Sequence, residues 1–361
     1  MTFDDVLVII NGRNQRAVEN PNGKYPIYGS GGIMGYADSY ICEADTVVIG
    51  RKGSINNPIL VEEPFWNVDT AFGLAAKREI LLPRYLYYFC RNFDFERLNK
   101  AVTIPSLTKS DLLKIEITLP TLEIQEDVVN KLRKVERIIQ ARKQQLQKLD
   151  ELVKARFVEL FGDPVTNPKG WTTKPLLDMG YCKNGMNFHA GDSGMEVNCL
   201  GVGDFQNLSV IDGTAHLPVI SLNEAPPEES MLRDGDIVFV RSNGNKALVG
   251  RCLIVYPRNT PTTYSGFCIR YRLTSNEVDT TYLLRVLKTD SIRKKMAGRG
   301  ANIQNLNQQI LAALDIPLPP IEQQQQFAAF VKQTGKSKAA IQKALDEAQL
   351  LFDGLMQKYF G

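Results

Sequence analysis

The stretch LTKSDLLKIEITLPTLEIQ, Leu107–Gln125, has a close relative in LNQQILAALDIPLPPIEQQ, Leu306–Gln324, which begins 199 residues further along the chain. Seven of the 19 aligned positions are identical, and the match continues without a gap to a Phe-Gly pair in each copy, at 161–162 and at 360–361. A repeat of this size indicates two copies of one whole module rather than a solenoid of short units. The chain is therefore predicted to be a tandem duplication.

Four landmarks upstream of this stretch also pair the two halves, although their spacing differs between the copies. They are IINGRNQ (9–15) with CKNGMNF (182–188), ADTVVIGRKGS (44–54) with GDIVFVRSNGN (235–245), TAFGL (70–74) with SGFCI (265–269), and PRYLYYF (83–89) with TTYLLRV (280–286). Divergence in loops with retention near strand ends predicts one scaffold that carries two different surfaces.

Each module is predicted to open with a globular part of mixed α and β content. TVVIG (46–50) and DIVFV (236–240) are short β-branched runs and predict strands. YGSGGIMG (28–35) predicts turns and loops, and IEITLP (115–120) predicts a final strand that stops at proline. PRYLYYFCRNFDFERLNK (83–100) predicts a helix with a proline near its start.

Each module then ends in a long helix, because apolar residues recur there at spacings of three and four. About 40 residues give a helix of roughly 60 Å, and two such helices can bury their stripes against each other as an antiparallel pair. Gly335 lies inside the second helix, where glycine costs about 1 kcal/mol relative to alanine. The predicted stripes comprise Val128, Leu132, Val135, Ile139, Leu146, Leu149 and Val153 in the first helix, and Phe327, Val331, Ile341, Leu345 and Phe352 in the second.

The predicted fold class is α+β. Two globular domains of mixed α/β content, 1–120 and 163–319, are joined by two long antiparallel coiled-coil helices, 121–162 and 320–361, in an internal repeat with pseudo-twofold symmetry.

Composition excludes several classes of protein. The formal net charge is +3, so charge alone does not indicate a nucleic-acid binder, and no apolar run reaches the ~18 residues of a membrane span. The six cysteines form no Cys-x-x-Cys pair, and the two histidines, His189 and His216, are far apart, so no metal site is expected. A reduced cytoplasm is the expected compartment.

No motif supports covalent chemistry. TGKS (334–337) resembles the end of a phosphate loop, but Phe330 stands where that loop requires glycine. Two separated histidines and scattered cysteines give no pairing of a nucleophile with a base. The chain is therefore predicted to be neither an enzyme nor a cofactor carrier.

Arg, Asn, Ser and Lys side chains, which read base edges and bind phosphates, cluster at matching places in both repeats. The principal pair of clusters is GRKGS (50–54) and VRSNGNK (240–246). One such cluster alone is more often a solvated loop, but recurrence in both repeats favours DNA binding. The predicted DNA-binding residues are Arg13, Asn14, Lys24, Tyr28, Ser30, Arg51, Lys52, Ser54, Asn184, Arg241, Ser242, Asn243, Lys246, Arg299 and Asn302.

Two diverged globular repeats, each followed by a long helix that opens at a proline turn, resemble the specificity subunit of type I restriction–modification enzymes. The resemblance covers almost the whole chain. It is carried by LTKSDLLKIEITLPTLEIQEDVV (107–129), LNQQILAALDIPLPPIEQQQQFA (306–328), YPIYGSGGIMGYAD (25–38) and the endings LFG (160–162) and YFG (359–361).

The resemblance implies that each globular repeat is a target recognition domain for one half of a bipartite double-stranded DNA site. It also implies that the long helices form a spacer and dock two methyltransferase subunits, which bind S-adenosylmethionine, and that endonuclease/translocase subunits join this core. Two other hypotheses stay open from the residues alone: a stand-alone scaffold, and a DNA-modifying enzyme with an unrecognised catalytic core.

Overall fold

The computed structural model describes residues 1–99, 105–189, 191–206, 208–297 and 305–361. The chain divides into two compact units. Unit 1 comprises Met1–Gln145 together with Ile341–Gly361, and unit 2 comprises Leu146–Ala340. Within the described ranges, no helix has both the length and the apolarity needed to cross a membrane.

Unit 1 contains two sheets and several short helices. Its strands are β1 Leu7–Asn11, β2 Tyr25–Gly29, β3 Gly32–Ala37, β4 Thr46–Gly50, β5 Ile59–Val61, β6 Trp66–Asn67 and β7 Ala71–Ala76. Its short helices are α1 Phe3–Val6, α2 Pro83–Asn92 and α3 Lys109–Leu112. One sheet has the strand order β1-β7-β4-β5 and the other has the order β3-β2-β6. The long helix α4, Leu122–Phe161, begins in unit 1 and ends in unit 2.

Unit 2 repeats this plan with additions. Its strands are β8 Thr173–Pro175, β9 Gly180–Asn184, β10 Met195–Leu200, β11 Val210–Asp212, β12 Val219–Leu222, β13 Asp236–Val240, β14 Cys252–Tyr256, β15 Thr262–Tyr264, β16 Cys268–Leu273 and β17 Asp315–Pro317. Its short helices are α5 Thr280–Leu287, α6 Asp290–Ala297 and α7 Gln308–Ala312. The second long helix, α8, spans Ile321–Phe360.

The sheet order confirms the internal repeat. The order β9-β16-β13-β14 in unit 2 matches β1-β7-β4-β5 in unit 1, and every one of these neighbouring pairs is antiparallel. Likewise, β12-β10-β15 matches β3-β2-β6, with one antiparallel and one parallel pair in each sheet. The predicted α+β class is therefore confirmed.

The local predictions are confirmed in part. TVVIG and DIVFV are the fully buried strands β4 and β13, and α2 begins at Pro83 as expected, although it ends at Asn92. The stretch 28–35 is not merely turns and loops, because it forms most of the β2–β3 hairpin. The predicted final strand of the first repeat is wrong, since only the single bridge Thr2–Glu116 forms there, whereas the second repeat has β17.

The strand pairing also corrects two landmark alignments. Gly50 pairs with Ala71 in unit 1, and Val240 pairs with Cys268 in unit 2. The alignment of 44–54 with 235–245 is therefore wrong by one residue, and that of 70–74 with 265–269 is wrong by two. Short stretches of similarity cannot fix register, whereas the hydrogen-bonded ladder does.

The opening stretch is repeated because its glutamine holds the same junction in both units. The Gln125 side chain accepts a hydrogen bond from the Leu82 amide at 2.9 Å and donates to the carbonyls of Ile80 and Pro120. Gln324 makes the same set of bonds, accepting from the Asp279 amide at 2.9 Å and donating to Glu277 and Pro319. Both glutamines are fully buried, so each locks the start of a long helix to the preceding domain.

The two long helices run antiparallel within each unit. In unit 2, Asp150 pairs with Lys338 while Phe157 and Phe161 pack on Phe327. In unit 1, the apolar stripe of α4 and the last turns of α8 belong to one core, in which Phe352 contacts Tyr88 of α2. Sequence reasoning missed Val129, Phe157 and Met356, which are buried in these two cores.

Candidate nucleic-acid interface

In unit 1, two loops with predicted DNA-binding residues leave the larger sheet at the same edge. Strands β1 and β4 both pair antiparallel with β7, and they end opposite its first residues, at Asn11–Phe72 and Gly50–Ala71. The chain after β1 carries Arg13 and Asn14, and the chain after β4 carries Arg51 to Ser54. We call this surface, formed by Arg13, Asn14, Ser30 and Arg51–Ser54, edge 1.

Backbone hydrogen bonds fix the position of Arg51 on edge 1. Its amide donates to the Thr70 carbonyl at 2.8 Å, and its carbonyl accepts from the Leu107 amide at 2.9 Å. The guanidinium lies 5.6 Å from the ring centroid of Phe72, within cation–π range. Arg51 and Lys52 are nonetheless exposed, so their charged ends remain accessible to a ligand.

Close packing of the loop brings Ser30 onto edge 1. A Cβ added to Gly50 would lie 2.3 Å from the Ser54 carbonyl oxygen and 3.1 Å from the Ser30 Cβ. Only glycine therefore permits this approach. Ser30, in the β2–β3 turn, consequently lies beside the Arg51–Ser54 loop.

Arg13 and Asn14 are held at their backbone and remain exposed. The Arg13 amide donates to the Asn67 carbonyl at 2.8 Å, and the Arg13 carbonyl accepts from the indole N–H of Trp66 at 3.0 Å. The Asn14 side chain accepts from the Arg16 amide at 2.9 Å, which closes a local turn. The backbone of Arg13 is thus fixed by hydrogen bonds, while its side chain is accessible to a ligand.

Two predicted residues lie away from the centre of edge 1. The Tyr28 ring packs on Phe65 at 5.4 Å between centroids, and burial raises the pKa of its hydroxyl. Lys24 precedes β2, so it is six residues from Ser30 along an extended hairpin strand, or roughly 20 Å. Its ammonium lies 5.4 Å from the Tyr25 ring centroid.

Unit 2 builds the corresponding surface with different side chains. Strands β9 and β13 flank β16 and end opposite its first residues, at Asn184–Ile269 and Val240–Cys268. The Arg241 amide donates to the Phe267 carbonyl at 2.7 Å, and its carbonyl accepts from the Leu306 amide at 2.8 Å. Arg51 and Arg241 therefore occupy the same backbone frame. We call the surface formed by Asn184, Arg241–Lys246, Phe267 and Asn305 edge 2.

Edge 2 is concave, and sequence reasoning missed one of its residues. Ser242, Asn243, Lys246, Phe267 and Asn305 line a cleft of about 400 Å³. The Phe267 side chain is 62% exposed, and such an exposed ring offers a stacking or wedging surface to a base. The two-residue alignment error concealed it, since it matched Phe267 with the buried Phe72 rather than with Thr70.

The remaining predicted residues, Arg299 and Asn302, lie outside the described residues. The structure therefore brings together Arg13, Asn14, Ser30, Arg51, Lys52 and Ser54 on edge 1, and Asn184, Arg241, Ser242, Asn243 and Lys246 on edge 2. Which of these side chains contact DNA stays a prediction.

The described residues offer little for covalent chemistry. Burial raises the pKa of Cys42, Cys182, Cys199 and Cys268 to about 12, so these thiols remain protonated and unreactive near neutral pH. In the ranges that the structure describes, no group of three His, Cys, Asp or Glu residues could hold a metal ion.

The model of the type I restriction modification DNA specificity domain matches residues 1–151 and 168–349. The chain belongs to this family. Its two matches coincide with the two repeats, and the chain is thus a specificity subunit of a type I restriction–modification system, with no catalytic role of its own.

Similar proteins agree with this assignment. This specificity subunit is 24% identical over 332 residues to the type I restriction enzyme StySPI specificity subunit of Salmonella potsdam, which covers 85% of this chain and 70% of that protein. The crystal structure of the type I restriction–modification S subunit from M. genitalium matches with a TM-score of 0.64 at 17% identity, covering 100% of this chain and 95% of that one. A chain from a study of complex assembly and conformational transition of the type I system matches with a TM-score of 0.59 at 17% identity, over 100% of this chain and 96% of that one. These two likenesses support the fold.

Proposed function

We propose that edge 1 and edge 2 each read one half of a bipartite double-stranded DNA target. The observation that carries the proposal is the shared backbone frame of Arg51 and Arg241. The shared frame gives each domain an arginine in the same place, and arginine forms bidentate contacts to guanine in the major groove. The different neighbouring side chains are what reading two unlike half-sites requires. A protein that reads chromosomal DNA in this way is expected to act in the cytoplasm.

The long helices are proposed to dock two methyltransferase subunits, on which S-adenosylmethionine binds, and endonuclease/translocase subunits are proposed to join them. Exposed apolar side chains on both helices support a docking role, because surface positions of a helix are ordinarily polar. These side chains are Ile124, Ile138, Leu152 and Val158 on α4, and Leu350 and Leu351 on α8.

Selection from a random DNA pool tests the proposal. The full chain is incubated with a pool of duplexes, alone and with its methyltransferase subunit, and the bound sequences are determined. We expect two short conserved blocks separated by an unspecified spacer. Recovery of no motif, or of one contiguous block, would contradict the proposal.

A second experiment tests the role of the helices as a spacer. Four residues are inserted after Gln145 and four before Ile341, which lengthens α4 and α8 by about 6 Å each, close to the rise of two base pairs. We expect the selected spacer to change while both half-sites stay the same. A control with four residues inserted in the exposed 223–227 loop should select the original spacer.

A further inference from the structure

Unit 2 contains a cavity of about 320 Å³ whose polar lining is mainly cationic. Arg251, Lys288 and Arg293 line it together with one acid, Asp290. We call it the basic cavity. It adjoins edge 2, because the Arg241–Lys246 loop continues directly into Ala247, which forms part of its wall.

The three cations of the basic cavity are held by neutral groups. Arg251 donates to the Gln206 carbonyl at 3.1 Å, Arg293 donates to the Ala247 carbonyl at 3.2 Å, and Lys288 donates to Ser209 Oγ at 2.7 Å and to the Leu208 carbonyl. Among the described residues, no carboxylate forms an ion pair with any of them. Burial lowers the pKa of Lys288 and of Arg293, and the charge of Arg251 adds to both effects. The cavity thus holds positive charge that an anion would stabilise.

A fourth cation lies nearby with an unused donor. The Arg285 Nε is buried and has no hydrogen-bond partner among the described residues. Burial lowers the pKa of this guanidinium, whose central carbon lies 6.0 Å from the Phe157 ring centroid. Leaving a buried charged donor unpaired is costly, and the charge of Arg285 also lowers the pKa of Lys288.

Unit 1 has a cavity that shares part of this lining, because Arg91 occupies the position of Lys288, and there the charge is neutralised. Gln125 accepts from the Leu82 amide and Gln324 from the Asp279 amide, so Leu82 and Asp279 are equivalent positions. Arg91 of unit 1 is therefore the equivalent of Lys288 in unit 2. Arg91 and the Tyr88 hydroxyl both donate to the carboxylate of Glu136. Arg91 and Glu136 line a cavity of about 510 Å³.

Unit 2 differs from unit 1 at two equivalent positions. Eleven residues beyond the anchoring glutamine, the place of Glu136 is taken by Gly335, around which a Cβ would meet open space. The ladder pairs Val48–Ile59 and Val238–Leu253 make Ile59 and Leu253 equivalent positions. The equivalent of Arg251 in unit 1 is therefore the neutral Asn57. Unit 2 therefore has a cation where unit 1 has a neutral side chain, and a glycine where unit 1 has the acid.

We propose that the basic cavity of unit 2 binds a phosphate group, supplied by the backbone of the DNA that edge 2 reads. Arginine and lysine donors match phosphate oxygens in geometry and charge. The shared loop places the cavity next to the residues proposed to contact bases. The DNA source rests on the proposed function, whereas phosphate binding itself does not.

The test restores the missing acid. Gly335→Glu should place a carboxylate where unit 1 has Glu136, and Lys288→Gln removes a cation instead. Gly354→Glu is the matched control, since it also replaces a helical glycine in open space by glutamate but lies in unit 1. Arg258→Gln is the control for lost charge, because Arg258 is ion-paired with Asp212 and Asp234.

Each full-length variant is titrated with inorganic phosphate by calorimetry and with the selected duplex at several salt concentrations. We expect both cavity variants to bind phosphate and DNA about tenfold more weakly than wild type. The slope of log affinity against log salt should fall by about one, equally for specific and nonspecific duplexes. Both controls should match wild type, and thermal unfolding verifies that every variant is folded.

Each other outcome overturns part or all of the proposal. A change in phosphate binding alone would make free phosphate the ligand and overturn the DNA source. No change in either titration would overturn the phosphate site. If a parallel titration with the methyltransferase subunit showed loss of that binding alone, the cavity would belong to an acidic segment of that subunit, which also overturns the proposal. If wild type bound phosphate but selected no bipartite motif, the proposed function would fail while the phosphate site stood.

Discussion

Edge 1 and edge 2 share a backbone and differ in almost every side chain. Arg51 and Arg241 have equivalent backbone partners: the residue just before the neighbouring strand, Thr70 or Phe267, and the repeated leucine, Leu107 or Leu306. Beyond them, edge 1 continues with Lys52 and a glycine at φ +81°, whereas edge 2 continues with Ser242, Asn243 and an exposed Phe267. The hydrogen-bonded frame is therefore common to both copies, while the surface that it presents differs between them.

The same contrast extends into the sheets. Asp236 and Arg272 form an ion pair in unit 2 that is almost fully buried, with side chains 2% and 11% exposed. The strand register places Thr46 and Ala75 at these positions in unit 1. One copy thus uses charge where the other uses neutral residues, and exchanging them tests how far the two units are interchangeable.

The largest effect is expected from breaking this ion pair. Arg272→Ala should lower the free energy of unfolding of unit 2 by about 3–5 kcal/mol, because it leaves the Asp236 carboxylate buried without its partner. The double variant Asp236→Thr/Arg272→Ala, which copies unit 1, should recover most of the loss. Urea unfolding in a Trp66→Phe background measures this, since Trp171 then reports unit 2 alone.

An exposed ion pair provides the control. Arg78→Ala removes the partner of Asp45, whose side chain is 39% exposed, and should cost less than about 1 kcal/mol. Because Arg78 lies in unit 1, its effect is followed by Trp66 fluorescence in a Trp171→Phe background. If the double variant were as unstable as Arg272→Ala, the neutral pair of unit 1 would not be a substitute in unit 2.

A smaller loss is expected for both copies of the junction glutamine. Gln125→Glu and Gln324→Glu each keep an acceptor oxygen. Each removes the side-chain NH2 group that donates to two backbone carbonyls. We expect each to destabilise its own unit by about 1–3 kcal/mol, because buried carbonyls lose their donors. Fluorescence of Trp66 in a Trp171→Phe background should report the first variant, and that of Trp171 in the Trp66→Phe background the second. Unequal effects would show that the repeated motif serves different purposes in the two units.

An effect on DNA selection rather than on stability is expected at the two arginines. Arg51→Ala should relax selection in one half-site and Arg241→Ala in the other, each by about 1–3 kcal/mol if the guanidinium reads a base. Sequencing of the selected DNA for each variant provides the measurement. Equal weakening across all sequences would assign that arginine to a phosphate, and relaxation of the same half-site by both would refute one edge per half-site.

Sequence reasoning captured the features that recur and missed those that depend on register. The duplication, the long helices and strands β4 and β13 follow from local patterns, because periodicity and identity survive in a single sequence. The exposure of Phe267 and the equivalence of Arg51 with Arg241 required the ladder, since loops of unequal length separate the landmarks. The neutralisation of Arg91 by Glu136, and its loss at Gly335, depends on contacts between elements far apart in the chain.

The smallest expected effect concerns the two glycines of α8, which lie in different units. Gly335→Ala and Gly354→Ala should each raise the free energy of unfolding by about 1 kcal/mol, because alanine restricts the unfolded chain and a Cβ meets open space at both sites. Trp171 fluorescence should report the gain at Gly335, and Trp66 fluorescence the gain at Gly354. If Gly335→Ala stabilised unit 2 but weakened phosphate binding, the open space at Gly335 would itself be part of the basic cavity. Retained phosphate binding would instead identify the absence of a carboxylate, rather than the presence of glycine, as the difference between the two units.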